Sequence, residues 1–379
     1  MAAPPDSPLP PPAPARAWLR NACWDIGCLA FCWLPFYVWA VFGLGLDGSW
    51  AAKQSEGLAL ATAVALAATY VHRHYTFVLV YGDHDTFRVR TRDFVLAPLL
   101  VFAAIGACRG LYGASRGESW AWVGSGAWWA VMITVGVWNV WHTLMQRYGI
   151  LRIYAGKAGH GLQARDHGRR DLILLWSSVI LVSWITLMFR ASTFAGQGNA
   201  RRALKIVGPW LAGVWPWVLL VAIAGAWLTV FAVWLRHELR AELEPQARLP
   251  RWLFFASTLA LLAVFVVHGP IVGYLCFGVA HALEYVAFVH HFGQQKFACG
   301  SAKSPASLLL RRPLFTAPLL IGGLLLAFVL LYDQRRADVY MIYYMGTSML
   351  HFLFDGWIWK VRRPEVRAPL GVASGPGGP

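Results

Sequence analysis

Charge is what this sequence has least of. Only 13% of its 379 residues are charged, and the acidic side is the thinner, with 18 Asp and Glu against 33 Lys and Arg. A soluble domain carries about a quarter charged residues, so an ordinary soluble globular chain is excluded. Thiol chemistry is scarce as well. Cys23, Cys28, Cys32, Cys108, Cys276 and Cys299 form no CxxC pair. Most of them lie inside apolar runs, where cysteine behaves as a small hydrophobe. No P-loop, GxSxG nucleophile elbow or HExxH helix occurs. The first residues carry no secretory-signal pattern. Met1 to Ala15 is Pro/Ala-rich with Asp6 as its charge, the composition of a disordered tail.

Apolar residues make up 58% of the chain, and the mean hydropathy is +0.50. A membrane-spanning helix needs about 20 mostly apolar residues. Such runs occur at roughly 21–45, 57–81, 94–112, 122–146, 171–189, 207–235, 252–270, 271–292, 313–332 and 338–359. The seventh and eighth form one run broken at His268-Gly269-Pro270, which predicts a hairpin or kink. Pro209 and Pro216 in the sixth predict a tilt or a late start. The expected fold is all-α, a polytopic transmembrane bundle of about ten spans. Residues 21–363 form a single helical domain between disordered tails at 1–20 and 364–379.

The net charge of +15 raises the question of nucleic acid, but no basic domain stands apart. The Lys and Arg sit in short connections between apolar runs. They include Arg88, Arg90 and Arg92, then Arg147, Arg152, Arg169 and Arg170, then Arg236, Arg240, Arg248 and Arg251, then Lys360, Arg362 and Arg363. These connections fall on one side if the N-terminus is inside, so the positive-inside rule places both termini in the cytoplasm of an inner or plasma membrane.

The histidines then fall into a pattern. His72 and His74 lie late in span two, His142 late in span four, His281 with Glu284 in span eight, and His351 with Asp355 late in span ten. All four spans run from outside to inside, so their second halves share a depth. His351 and Asp355 are i,i+4 and His281 and Glu284 are i,i+3, so each pair shares a helix face. His72 and His74 are two apart and cannot share one. Ionisable groups in a span normally point inward toward a partner. We read His72, His74, His142, His281, Glu284, His351 and Asp355 as candidate metal ligands. Gln146, His290, His291, Asp83 and His84 are candidate supporting residues. A turn with an N-cap is the simpler reading of Asp83-His84-Asp85. Imidazole with carboxylate suits iron, zinc or manganese. Bis-histidine haem would leave the carboxylates unused, so a non-haem mono- or dinuclear iron site ranks ahead of zinc, manganese and haem.

Histidines gathered at the cytoplasmic ends of several spans resemble the integral-membrane non-haem iron oxygenases: desaturases, lipid hydroxylases and carotenoid-cleaving enzymes of the Brp/Blh type. The HxxxH and HxxHH boxes are absent, His72-Arg73-His74 and His290-His291 being the nearest segments. The resemblance implies a membrane metal-dependent oxygenase acting on an apolar lipid-like substrate. Its partners would be membrane lipids and a separate electron donor, with no nucleic acid. The alternative is a proton- or metal-coupled transporter using the same His, Asp and Glu groups.

Overall fold

The computed structural model describes residues 17–47, 56–158, 165–190, 205, 208–241, 243–298, 304–335 and 337–372. The described residues are helical, with no strand among them. Two short segments open the chain. α1 (Ala22–Trp24) runs on through a wide π-type stretch to Ala30, and α2 (Leu34–Val38) does the same to Gly43, with a bend of 48° between the two. The other elements are α3 (Glu56–Gly82), α4 (His84–Val89), α5 (Thr91–Ala114), α6 (Ala121–Lys157), α7 (Arg165–Arg190), α8 (Trp215–Arg240) and α9 (Pro245–Val267). They continue with α10 (Gly269–Lys296), α11 (Pro305–Leu310), α12 (Pro313–Tyr332), α13 (Asp338–Ile358) and α14 (Pro364–Arg367).

Seven helices, α5 to α10 and α12, are long and apolar enough to cross a membrane, or eight with the bent N-terminal pair. The expected ten included α3 and α13. Both are long enough, at 27 and 21 residues. They fall short on apolarity because α3 carries His72, Arg73 and His74, and α13 carries Asp338, His351, Asp355 and three tyrosines. Several of the seven turn large apolar side chains outward, among them Leu99, Leu100, Val221, Leu314 and Leu319. Exposed apolar side chains of this size are compatible with a lipid environment.

The boundaries carry corrections. α6 runs unbroken for 37 residues, well past the expected end of its span at 146. α8 starts at Trp215 with Pro216 in its first turn, because proline fits there and its missing N–H costs nothing. α9 stops at Val267, and Gly269 takes φ 85°, a left-handed backbone that glycine adopts without strain. The 364–379 tail does not begin at 364. Val366, Leu370 and Val372 are buried, an apolar spacing hidden among Pro and Gly. Residues 1–16 and 373–379 lie outside the described residues.

The chain divides into two compact units, the first made of residues 1–61, 147–277 and 370–379, the second of residues 62–146 and 278–369. In the first, α9 packs on α7 and on the Asp25–Ala30 stretch, and α7 packs on α8. The second is built around α3 and α13. Val80 of α3, Phe94 of α5, and Leu350 and Phe354 of α13 form one apolar cluster. Val71, Tyr75 and Leu79 of α3 join Tyr285 and Val289 of α10 and Leu310 of α11 in another. Ile105 of α5, Val135 of α6, and Met345 and Phe352 of α13 form a third. α3 and α13, the two long helices without an unbroken apolar stretch, are therefore central to this unit, and apolar helices pack against them.

Candidate metal centre

Four helices of the second unit bring imidazoles into two overlapping groups that share His351. α3 supplies His72, α6 His142, α10 His281, and α13 both His351 and Asp355. All are buried, from 0% exposed at His351 to 6% at His142. The helical period explains the supporting cast. Thr76 is one turn past His72, Tyr285 one turn past His281, and Asp355 one turn past His351, so each shares its histidine's face.

The nitrogens meet closely. Nε2 of His351 lies 3.2 Å from Nε2 of His72 and 3.1 Å from Nε2 of His142. Ring centroids stand 4.7 Å apart for His72 and His281, 5.0 Å for His142 and His281, and 5.9 Å for His281 and His351. Two groups of donor atoms, from His72, His281 and His351 and from His142, His351 and Asp355, each fall within 4.8 Å of one another. A metal about 2.0–2.2 Å from two nitrogens holds those nitrogens about 2.8–3.6 Å apart, for bond angles between square and tetrahedral. The observed edges lie in that range. Hydrogen bonding alone closes poorly here. A ring nitrogen offers either one lone pair or one proton, and Nε2 of His351 faces two imidazole nitrogens at hydrogen-bond distance.

The carboxylate is held from behind. Oδ1 of Asp355 accepts from the Tyr285 hydroxyl at 2.7 Å and from Thr76 Oγ1 at 2.9 Å. That leaves Oδ2 toward the imidazoles, 3.6 Å from His142 Nε2 and 3.7 Å from His351 Nδ1. Thr76 Oγ1 also lies 2.7 Å from His351 Nδ1, so one hydroxyl orients two candidate ligands. Hydrogen-bonding partners of this kind fix ligand orientation in metal sites. The Trp359 indole donates to Tyr285 OH at 3.3 Å. Trp359 also lines a surface cleft with Phe292, Lys296, Arg90 and Trp357, so the polar chain from Asp355 reaches a wall of that cleft.

Other expected site residues lie elsewhere. His74 points off the cluster. Its Nδ1 sits 2.7 Å from the Tyr70 carbonyl oxygen and its Nε2 2.7 Å from Tyr343 OH. Glu284 is fully buried but stands outside both donor groups. His290 Nε2 is 2.8 Å from Tyr75 OH. His291 is buried and likewise outside the groups. Gln146 donates to the His281 backbone carbonyl at 3.3 Å, which places it next to a candidate ligand and braces α6 on α10. Asp83 occupies the N-cap position of α4, with its carboxylate bound to Thr86 Oγ1 and Lys296 Nζ, and His84 is exposed.

Sequence reading missed Thr76, Tyr285 and Arg73, although the i,i+4 spacing to His72 and His281 could have flagged the first two. It also missed a second buried polar cluster, in the first unit. There Arg251 binds both Asp171 and Glu238. His167 sits 3.0 Å from Glu238 Oε1 and 2.8 Å from Arg152 Nη1, which in turn lies 3.4 Å from Asp171 Oδ2. Trp234 donates to Asp171 at 2.9 Å and Trp252 to Glu238 at 3.1 Å.

Comparison with known proteins gives no relative: no family model, curated protein or solved structure matches this chain.

Proposed function

We propose that the chain is an integral-membrane, metal-dependent oxidoreductase: a non-haem iron oxygenase acting on an apolar, lipid-like substrate. α3 and α13 would complete ten spans with the seven apolar helices and the bent N-terminal pair, and both termini would be cytoplasmic. His72, His142, His281, His351 and Asp355 would hold one ion, with Thr76 and Tyr285 orienting Asp355. The observation that carries this reading is the approach of two imidazole nitrogens, at 3.1 and 3.2 Å, to the same Nε2 of His351. One cation satisfies all three lone pairs where one proton cannot.

Iron is the proposed ion because a mixed imidazole and carboxylate set suits it and because it can activate dioxygen when bound. Four imidazoles and one carboxylate would leave about one octahedral position open for exchangeable ligands. Burial among apolar helices would keep water from that position. Electrons would come from a separate donor.

Elemental analysis of detergent-purified protein tests the reading. We expect about one iron per chain, lost in His142→Ala and His351→Ala while circular dichroism stays helical. Well-folded wild-type protein that takes up no metal after growth with added iron and reconstitution would falsify it. Stoichiometric zinc in place of iron would retain the centre and sink the oxygenase.

A further inference from the structure

Arg73 follows His72 directly in α3 and is 3% exposed. Arginine brings a guanidinium cation to this position. The groups around it are all neutral. Nε donates to the Thr69 carbonyl at 3.1 Å, and Nη1 to the Tyr344 carbonyl at 3.1 Å and to Ser348 Oγ at 2.5 Å. The guanidinium carbon also sits 4.2 Å over the Tyr344 ring. Nη2 is buried and has no hydrogen-bond partner. No carboxylate lies within ion-pair distance of Arg73 among the described residues. Several other arginines meet carboxylates: Arg251 meets Asp171 and Glu238, Arg152 meets Asp171, and Arg109 meets Asp338, whereas Arg248, like Arg73, is held by backbone carbonyls. A buried cation without an anion is among the costliest groups a membrane interior can hold, and its usual explanation is a functional partner.

We infer that Arg73 binds the anionic head of the substrate through Nη2, and that this substrate is a carboxylate-bearing amphiphile. The inference rests on the proposed metal centre for the chemistry, though not for the binding. Position supports it. Ser348, which accepts from Nη1, lies one turn before His351 on α13, and Arg73 lies beside His72 on α3, so a carboxylate at Nη2 is anchored about one helical turn, roughly 5 Å along the axis, from the imidazoles. Only one guanidinium nitrogen is free to donate, which fits a single carboxylate oxygen better than a phosphate needing several donors. Anchoring the head there brings carbons near the carboxyl group, rather than the tail end, to the ion.

Equilibrium binding of radiolabelled palmitate, hexadecanol and hexadecyl phosphate to the full-length purified protein decides the point. Wild type is expected to bind palmitate at least about tenfold more tightly than hexadecanol, the scale of one charge-assisted hydrogen bond. Arg73→Gln should bring that preference within about twofold while leaving iron content unchanged. Equal binding of acid and alcohol by wild type, or full preference in Arg73→Gln, overturns the inference. Tighter binding of hexadecyl phosphate than of palmitate overturns the carboxylate assignment. Should Arg73→Gln fail to fold, Arg73→Lys decides: a preference reduced by more than about threefold supports the site, and an undiminished one rejects it. Iron content, read in the same preparations, separates the two readings. Iron-free protein with intact acid preference sinks the metal centre alone, and iron-loaded protein without preference sinks the anion site alone.

Discussion

Two buried polar clusters among the described residues differ in how far their charges and acceptors are matched. In the first unit two guanidinium groups, Arg152 and Arg251, face two carboxylates, Asp171 and Glu238. Each carboxylate oxygen has a donor: Arg251 and Trp234 on Asp171 Oδ1, Arg152 on Oδ2, His167 on Glu238 Oε1, and Arg251 and Trp252 on Oε2. The carboxylates of this closed set have no oxygen left over, although Nε of Arg251 is buried without a partner. In the second unit imidazoles crowd around one carboxylate, and Nε2 of His351 has two nitrogen neighbours for one proton or one lone pair. Buried polar networks stabilise when every member is satisfied. The closed cluster is therefore read as a clamp on α7, α8 and α9, and the open one as a place for an ion.

Breaking the clamp should give the largest stability effect. Arg251→Met would leave Asp171 and Glu238 short of their shared cation, and removing one partner of a buried pair costs about 3–5 kcal/mol. Denaturant unfolding in detergent measures this. Iron per folded chain should not change. A loss below about 1 kcal/mol would mean that the network is not closed by its internal charges.

The open cluster should respond to metal instead. Ligand binding to the folded state alone adds about 2.7 kcal/mol at a hundred times Kd. A chelator should therefore lower the melting temperature of wild type and leave His351→Ala unmoved. A wild-type melting curve indifferent to chelation would make the centre as self-sufficient as the clamp. Tyr285→Phe is a milder probe. It removes one of two donors to Asp355 Oδ1, at a folding cost of about 1 kcal/mol. Metal affinity should fall about 10- to 100-fold, as when a ligand loses its orienting hydrogen bond. Unchanged affinity would mean that Thr76 alone positions the carboxylate.

The chain's helical character and its histidine-bearing segments were legible because apolar runs and i,i+4 spacing are local signals. His142, His281, His351 and Asp355 could be placed on helices without tertiary information. The clamp could not. Arg152, His167, Asp171, Glu238 and Arg251 come from four helices and lie near helix ends, where the sequence suggests loop charges that set membrane orientation. Arg73 could be placed within a span, but not among its neighbours. Thr76 and Tyr285 look ordinary until α13 brings Asp355 to them. The span count suffered for a related reason, since the groups that build the centre also interrupt the apolar stretch of α3 and α13.

His72 and His74 make the finest test of the contrast between a cluster member and a satisfied bystander. Two residues apart on a helix, they point about 200° apart, so at most one can face α13's His351. Sequence alone gave no way to choose. The choice is made by hydrogen bonding: His74 bridges the Tyr70 carbonyl and Tyr343 OH, which occupies both of its nitrogens, while Nε2 of His72 faces His351. His74→Phe should then cost about 0.5–1.5 kcal/mol, the worth of a lost hydrogen bond to Tyr343, with iron content intact. His72→Phe should abolish iron binding. Equal iron loss in both variants would show that α3 departs from regular helix near Arg73, since only then could both imidazoles reach one ion.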